Sequence, residues 1–205
     1  MTIASLGLLV SALLLTVQHS LCGITFTSLC LGPVTTNTDP ATELKVYNSD
    51  VERTFVAIKP DAVQRNLIGE IIKRVEQKGL KVIAIKLLRP SKELVSEHYS
   101  EHKSQYFFAD LVEFFLSGPI VALVLEGSNA IHIVRKLVGK TQPEDAEAGT
   151  IRGDYCFGKG RNLVHASDCA VNAKREIQLW FADNEIIEYA KTIDQWVKLQ
   201  PPPAV

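Results

Sequence analysis

The sequence predicts an α+β sandwich of ferredoxin-like type, a four-stranded antiparallel sheet with helices packed on it. Three observations lead there. From residue 51 onward, short apolar runs alternate with amphipathic stretches in the order β-α-β-(αα)-β-α-(loop)-β-α. One of those runs, Ile120 to Leu125, is apolar at every position, as in a strand covered on both faces. The 205 residues, 46% hydrophobic and 22% charged, suffice for one domain with a full core plus an appendage, and they exclude a disordered or collagen-like chain.

Each element has a local reason. Arg53 to Lys59 (R-T-F-V-A-I-K) is rich in β-formers and stops at Pro60, which cannot extend a ladder. Leu67, Ile68, Ile71, Ile72 and Val75 recur at helical spacing opposite Glu70, Lys73, Arg74 and Lys78, and Gly79 follows as a C-terminal cap. Leu80 to Leu88 reads as a second strand, Ser91 to Tyr99 and Tyr106 to Leu116 as two helices, and Ile120 to Leu125 as the third strand. A helix over Asn129 to Val138, a glycine-rich stretch from Gly149 to Gly160, a short strand at Leu163 to His165 and a last helix complete the order. In that helix Ala170, Ala173, Ile177, Trp180 and Phe181 are expected to line one side.

Charge is spread unevenly. With 22 Lys and Arg against 23 Asp and Glu, the chain has no global field for nucleic acid or an anionic membrane, so any anion site has to be built locally. No charged side chain precedes Asp39. Residues 1–34 are expected to form a hydrophobic leader, 35–50 a linker, 51–197 the folded domain, and 198–205, with Pro201 to Pro203, a flexible tail. The apolar run from Ile3 to Val17 has the length of a signal-peptide core and falls short of the roughly 20 residues that cross a bilayer. A signal peptide is one expectation; a membrane anchor is the other once Gln18 to Leu31 is counted in, and the chain is then secreted or membrane-associated. The missing positive n-region keeps a cytoplasmic extension open, and the absence of Arg speaks against a mitochondrial presequence. Cys22, Cys30, Cys156 and Cys169 are too scattered for a disulfide framework or a Cys-x2-Cys zinc site, and reduced, packed thiols are expected.

The segment Arg161 to Asp168 (R-N-L-V-H-A-S-D) carries the first chemical signal. It sets His165 at a strand end, where a neutral imidazole can act as a nucleophile near neutral pH. Glu176, eleven residues on in the following helix, can reach back to hold the ring. A lone histidine at a strand end is also a common structural residue. Lys59, Arg135 and Arg152 supply cations and Thr141 a hydroxyl, which together could bind a triphosphate if they converge. No P-loop is present, because Gly139-Lys140-Thr141 follows a helix and lacks the first glycine. A serine hydrolase built from His165, Ser167 and Asp168 is disfavoured, since three such near neighbours cannot chain nucleophile, base and orienter.

Six segments stand in order along the chain: E-R-T-F-V-A-I-K-P-D (Glu52 to Asp61), E-H-Y (Glu97 to Tyr99), S-G-P-I-V-A-L-V-L-E-G (Ser117 to Gly127), G-T-I-R-G-D (Gly149 to Asp154), R-N-L-V-H-A-S-D (Arg161 to Asp168) and R-E-I-Q-L-W-F (Arg175 to Phe181). Taken together, they resemble the nucleoside diphosphate kinase family over residues 52 to about 196. The resemblance implies that His165 accepts the phosphate and that Glu176 orients it. It implies phosphate contacts from Lys59, Arg135, Thr141 and Arg152, a sugar and phosphate contact from Asn162, base stacking on Phe107 and a base-site wall at Leu111. Tyr99 and Ser167 fall beside the histidine. The implied reaction is ping-pong transfer of the γ-phosphate of ATP to nucleoside diphosphates through a phosphohistidine, supporting GTP, CTP and UTP synthesis. The resemblance also implies that Mg2+ is carried on the nucleotide phosphates with no protein ligand, that the partners are nucleoside di- and triphosphates without nucleic acid, and that the assembly is a homo-hexamer or tetramer. A weakly active or non-catalytic nucleotide-binding scaffold of the same fold is the alternative.

Three departures bear on that alternative. Gln105-Tyr106 stands where the family commonly has Arg-Pro, which removes one phosphate-facing cation. A buried contact of that kind contributes about 1.5–3 kcal/mol. Ala166 and Ala62 replace usual glycines, which is compatible with activity where the backbone φ is negative. The three-proline end also differs from the usual short tail.

Overall fold

The computed structural model describes residues 51–158 and 160–192; the expected leader, linker and proline tail lie outside the described residues. Four strands, β1 (Val51–Ile58), β2 (Lys81–Leu88), β3 (Ile120–Ser128) and β4 (Val164–Ala166), form one antiparallel sheet in the order β2-β3-β1-β4. Among the described residues seven α-helices accompany them, besides three short 3-10 turns: α1 (Pro60–Gln64), α2 (Ile68–Gln77), α3 (Lys92–His98), α4 (Phe108–Leu116), α5 (Ala130–Val138), α6 (Ile151–Tyr155) and α7 (Ala170–Trp180). This is the ferredoxin-like sandwich with the helix pair α3–α4 between β2 and β3. Among the described residues no helix is long and apolar enough to cross a membrane.

The pleat sorts each strand between two cores. In β1, Val56 and Ile58 pack with α2, α5 and α6, while Phe55 and Ala57 face α3, α4 and α7. In β3, Val121, Leu123 and Leu125 join the first core and Ile120, Ala122 and Val124 the second. That double coverage explains a run with no polar alternation. Fully burying one such side chain contributes about 1.5–3 kcal/mol.

The strands and long helices fall where periodicity puts them. Gly79, at φ +85, ends α2 in the left-handed conformation that a C-terminal cap requires. Two short helices were not legible. In α1, Pro60 occupies the first helical turn, so the residue that stops β1 also starts a helix. In α6, the Thr150 side chain caps the helix by accepting from the Gly153 amide, hidden within a stretch that composition marks as loop. The last helix needs a correction too: Ala170 is exposed, and the inward face is Ala173, Glu176, Ile177 and Trp180. An acidic residue thus occupies a core-facing position. Of the two cysteines among the described residues, Cys156 is a free thiol, as expected, and Cys169 is disulfide-bonded, which corrects the expectation of a reduced thiol there.

Candidate active site

β4 pairs with β1 through only three registers, with His165 opposite Ala57. Alternation therefore turns His165 toward the core of α3, α4 and α7 while its neighbours Val164 and Ala166 pack on the other face. Its side chain keeps 20% exposure. Nε2 lies 2.9 Å from Glu176 Oε1, and the second carboxylate oxygen accepts from Ser167 Oγ at 2.5 Å. Phe55 brackets that serine: its N–H donates to Ser167 Oγ at 3.2 Å and its carbonyl accepts from the Ser167 N–H at 3.1 Å. Ser167 is buried and engaged, which removes it as a hydrolase nucleophile.

The electrostatics fix the protonation states. Burial, then the charges of Lys59, Arg135 and Arg152, push His165 down to about 3, so the imidazole is neutral at pH 7. Burial also pushes the Glu176 carboxyl up, against the opposing pull of His98 and the Ser167 hydroxyl. With a carboxylate facing Nε2, the ring proton resides there and is donated to Glu176; the Nδ1 lone pair remains for chemistry. No described residue hydrogen-bonds Nδ1.

The expected cations converge beside that ring. Lys59, 6% exposed, donates from Nζ to Asn162 Oδ1 at 2.8 Å, and Asn162 Nδ2 donates to the Thr141 carbonyl at 3.1 Å. Arg152 donates to three carbonyls, those of Asn162 at 3.2 Å, Gly139 at 2.9 Å and Val164 at 2.7 Å. A guanidinium has five N–H donors, so Arg152 both ties the end of α5 at Gly139 to the segment Asn162–Val164 and retains donors for an anion. Burial and then Arg152 push Lys59 down to about 8; burial and then Arg135 push Arg152 down to about 10. Like charges pressed together at depressed values suit the binding of an anion.

Backbone strain completes this corner. Leu163, fully buried, has φ +67, and the Val164 N–H donates to the Asn162 carbonyl at 2.7 Å across it. That is the rarer, strained form of γ-turn. Ala166 and Ala62 are not among the residues of positive φ, so both replacements of a usual glycine are unstrained.

Aromatic rings lead outward from the histidine. His98 lies 4.4 Å from His165 edge-on, Tyr99 lies 5.9 Å from it, Tyr99 lies 6.2 Å from His102, and His102 lies 5.8 Å from Phe107. Phe107 is half-buried at the start of α4, and Leu111 packs one turn on against the core. Gln105 is exposed and Tyr106 is 93% exposed. Two residues of the quoted motifs were missed as site components. His98 accepts the Trp180 indole N–H at Nδ1, 3.2 Å, and is buried neutral, its pKa lowered by burial and then by His165. Asp61 accepts the Leu163 N–H at 3.1 Å. Their signal was their place inside E-H-Y and K-P-D.

Among the described residues one group, His98, His165 and Glu176, brings potential metal ligands within 4.8 Å. It does not suit Mg2+, which wants an open set of oxygens. Two of its three groups are imidazoles, and Glu176 is already shared by His165 and Ser167. The cation cluster of Lys59, Arg135 and Arg152 suits an anion, such as the phosphates of a nucleotide.

The family model for nucleoside diphosphate kinase matches residues 52–186. A nucleoside diphosphate kinase of Archaeoglobus fulgidus is 52% identical over 147 residues, 72% of this chain and 97% of that protein. Nucleoside diphosphate kinase A of the dog is 51% identical over 146 residues, 71% of this chain and 96% of that protein. Among solved structures, a family protein from Babesia bovis superposes with a TM-score of 0.70 at 48% identity, covering 71% of this chain and 99% of that one. The enzyme from Halobacterium salinarum in complex with CDP gives 0.70 at 48% identity, covering 72% and 99%. Fold, the converging cations beside an imidazole held by a carboxylate, and sequence identity agree that this chain belongs to the nucleoside diphosphate kinase family.

Proposed function

We propose that the chain is a nucleoside diphosphate kinase that transfers the γ-phosphate of ATP to nucleoside diphosphates through a phosphohistidine at His165. One observation carries this reading: His165 presents a neutral imidazole whose Nε2 is held 2.9 Å from Glu176, within the electrostatic reach of Lys59, Arg135 and Arg152. In the first half-reaction Nδ1 attacks the γ-phosphorus, the N–P bond forms, the bond to the β-phosphate oxygen breaks, and the nucleoside diphosphate leaves. In the second, a terminal oxygen of another diphosphate attacks the phosphorus and the N–P bond breaks. Glu176 supports the positive charge that grows on the ring, with Ser167 fixing the carboxylate. Lys59, Arg135 and Arg152 stabilise the equatorial oxygens.

The rest of the nucleotide falls to residues on the loops. Asn162 meets the sugar and phosphate region, Thr141 the phosphates, Phe107 the face of the base and Leu111 its wall, while Tyr99 lines the approach to the ring. Stacking tolerates every base, which accords with synthesis of GTP, CTP and UTP alike. Mg2+ bound to the nucleotide neutralises its phosphate oxygens. We further propose a homo-oligomer, hexamer or tetramer, an idea supported by Ile85 and Leu87, which stand 54% and 63% exposed on the edge strand β2. Residues 1–34 are proposed to direct secretion or membrane attachment; N-terminal sequencing of the mature protein distinguishes these from a cytoplasmic or mitochondrial chain.

The test of the function is incubation with γ-labelled ATP. Acid-labile, base-stable phosphate is expected on the wild type, and His165→Ala is expected to lose the label and to lower turnover by roughly 10^4-fold or more. A non-catalytic scaffold would bind ATP and take no label.

A further inference from the structure

The loop that carries Asn162 is bent against its own preference. Leu163 is bulky, fully buried and at φ +67, where residues other than glycine are seldom found. Such a conformation persists only where its surroundings over-determine it. Two hydrogen bonds do so here: the Lys59 N–H donates to the Leu163 carbonyl at 2.8 Å, and the Leu163 N–H donates to Asp61 Oδ2 at 3.1 Å. Asp61 sits in the first turn of α1, two residues after Lys59 and 9% exposed. Its other oxygen, Oδ1, is buried with no hydrogen-bond partner among the described residues. A buried carboxylate so sparingly satisfied calls for a reason, and its single hydrogen bond goes to the strained turn. The turn in turn aims its neighbour, since Asn162 Oδ1 takes the Lys59 ammonium and Asn162 Nδ2 holds the Thr141 carbonyl.

We infer that Asp61 is a positioning residue for the nucleotide site: its carboxylate clamps the turn at Leu163 so that Asn162 bridges Lys59 and the Thr141 loop. This rests on the reading of Lys59, Thr141 and Asn162 as nucleotide contacts. The rival role for Asp61 is purely electrostatic, because its charge also favours the charged form of Lys59. The two roles separate chemically. A clamp needs an acceptor oxygen at one point in space, and a charge partner needs only the negative charge nearby.

Two substitutions divide them. Asp61→Asn keeps the acceptor oxygen and removes the charge; Asp61→Glu keeps the charge and moves the oxygen by one methylene. ADP affinity is read by titration calorimetry, KM and kcat by coupled assay with labelled ATP, and folding by thermal melting of each full-length variant. The clamp predicts that Asp61→Asn stays within about threefold of the wild type, and that Asp61→Glu binds ADP about tenfold more weakly, with KM raised more than kcat is lowered. A merely structural lesion would lower melting temperature and active fraction without raising KM. Asp61→Asn as impaired as Asp61→Glu, or Asp61→Glu indistinguishable from the wild type, overturns the clamp. Should Asp61→Glu fail to fold, Asp61→Asn decides: folded protein that has lost ADP affinity overturns the clamp, and retained affinity supports it. If the wild type takes up no acid-labile phosphate, the proposed transfer fails, and the ADP titrations still judge the clamp.

Discussion

The two ends of the candidate site are built differently. Around His165 the side chains interlock: Glu176, Ser167, Phe55, His98 and Trp180 are all buried and joined by hydrogen bonds or ring contacts. Around the proposed base site, residues 103–106 are exposed, the preceding Ser100–His102 is a single 3-10 turn, and Phe107 is only half-buried. Phosphoryl transfer needs sub-ångström placement and is served by the interlocked end. Base binding by stacking tolerates slack. Disturbing the first end should cost rate, and disturbing the second should cost affinity.

The largest departure from that contrast would come at Glu176. Glu176→Gln keeps an acceptor for Nε2 and removes the charge that supports the ring; turnover is expected to fall about 10^2-fold with KM little changed. Steady-state kinetics with ADP and GTP check this, and a change confined to KM would erase the distinction.

The next effect is one of pH at the boundary between the two ends. Burial and the neighbouring Arg152 push Lys59 down to about 8, so above that value it loses its charge in the folded enzyme and KM should rise. Stability moves the other way. From about pH 8 up to the unfolded value of 10.5, the unfolded chain still binds this proton and the folded chain does not, so Lys59 makes folding more favourable as pH rises. Lys59→Arg should carry the alkaline limb of KM upward, as read from KM profiles between pH 7 and 10; an unmoved limb would assign it to another group.

Smaller changes are expected at the loose end. Phe107→Ala should raise KM about tenfold for every base, in line with roughly 1–3 kcal/mol of stacking, and leave kcat within a factor of about two. Gln105→Arg restores a cation at the phosphate side and should lower KM severalfold. Lys73→Ala marks the floor. Its side chain is 61% exposed and 3.9 Å from Glu70, and neither kinetics nor melting should change measurably.

How much of this was legible in the sequence follows from what the sequence encodes locally. Strand alternation and helical spacing are local, and the sheet and the long helices follow from them. The resemblance carried the site residues as a set, and the structure brings Lys59, Arg135, Thr141, Arg152 and Asn162 to one corner. The unread parts depend on contacts across the chain. Glu176 faces the core because Ser167 and His165 meet it there, Arg152 spends three donors on the carbonyls of Gly139, Asn162 and Val164, and Leu163 bends because Lys59 and Asp61, about a hundred residues away, hold it. No propensity scale for leucine anticipates a left-handed turn.

The brevity of β4 has a mechanical consequence. A strand of three residues, laddered on one side only, has too little backbone to resist sliding on its own. Alignment of the ring is therefore delegated to the clasp between Phe55 and Ser167, and a substitution that loosened the clasp would leave every reacting group present and yet out of line.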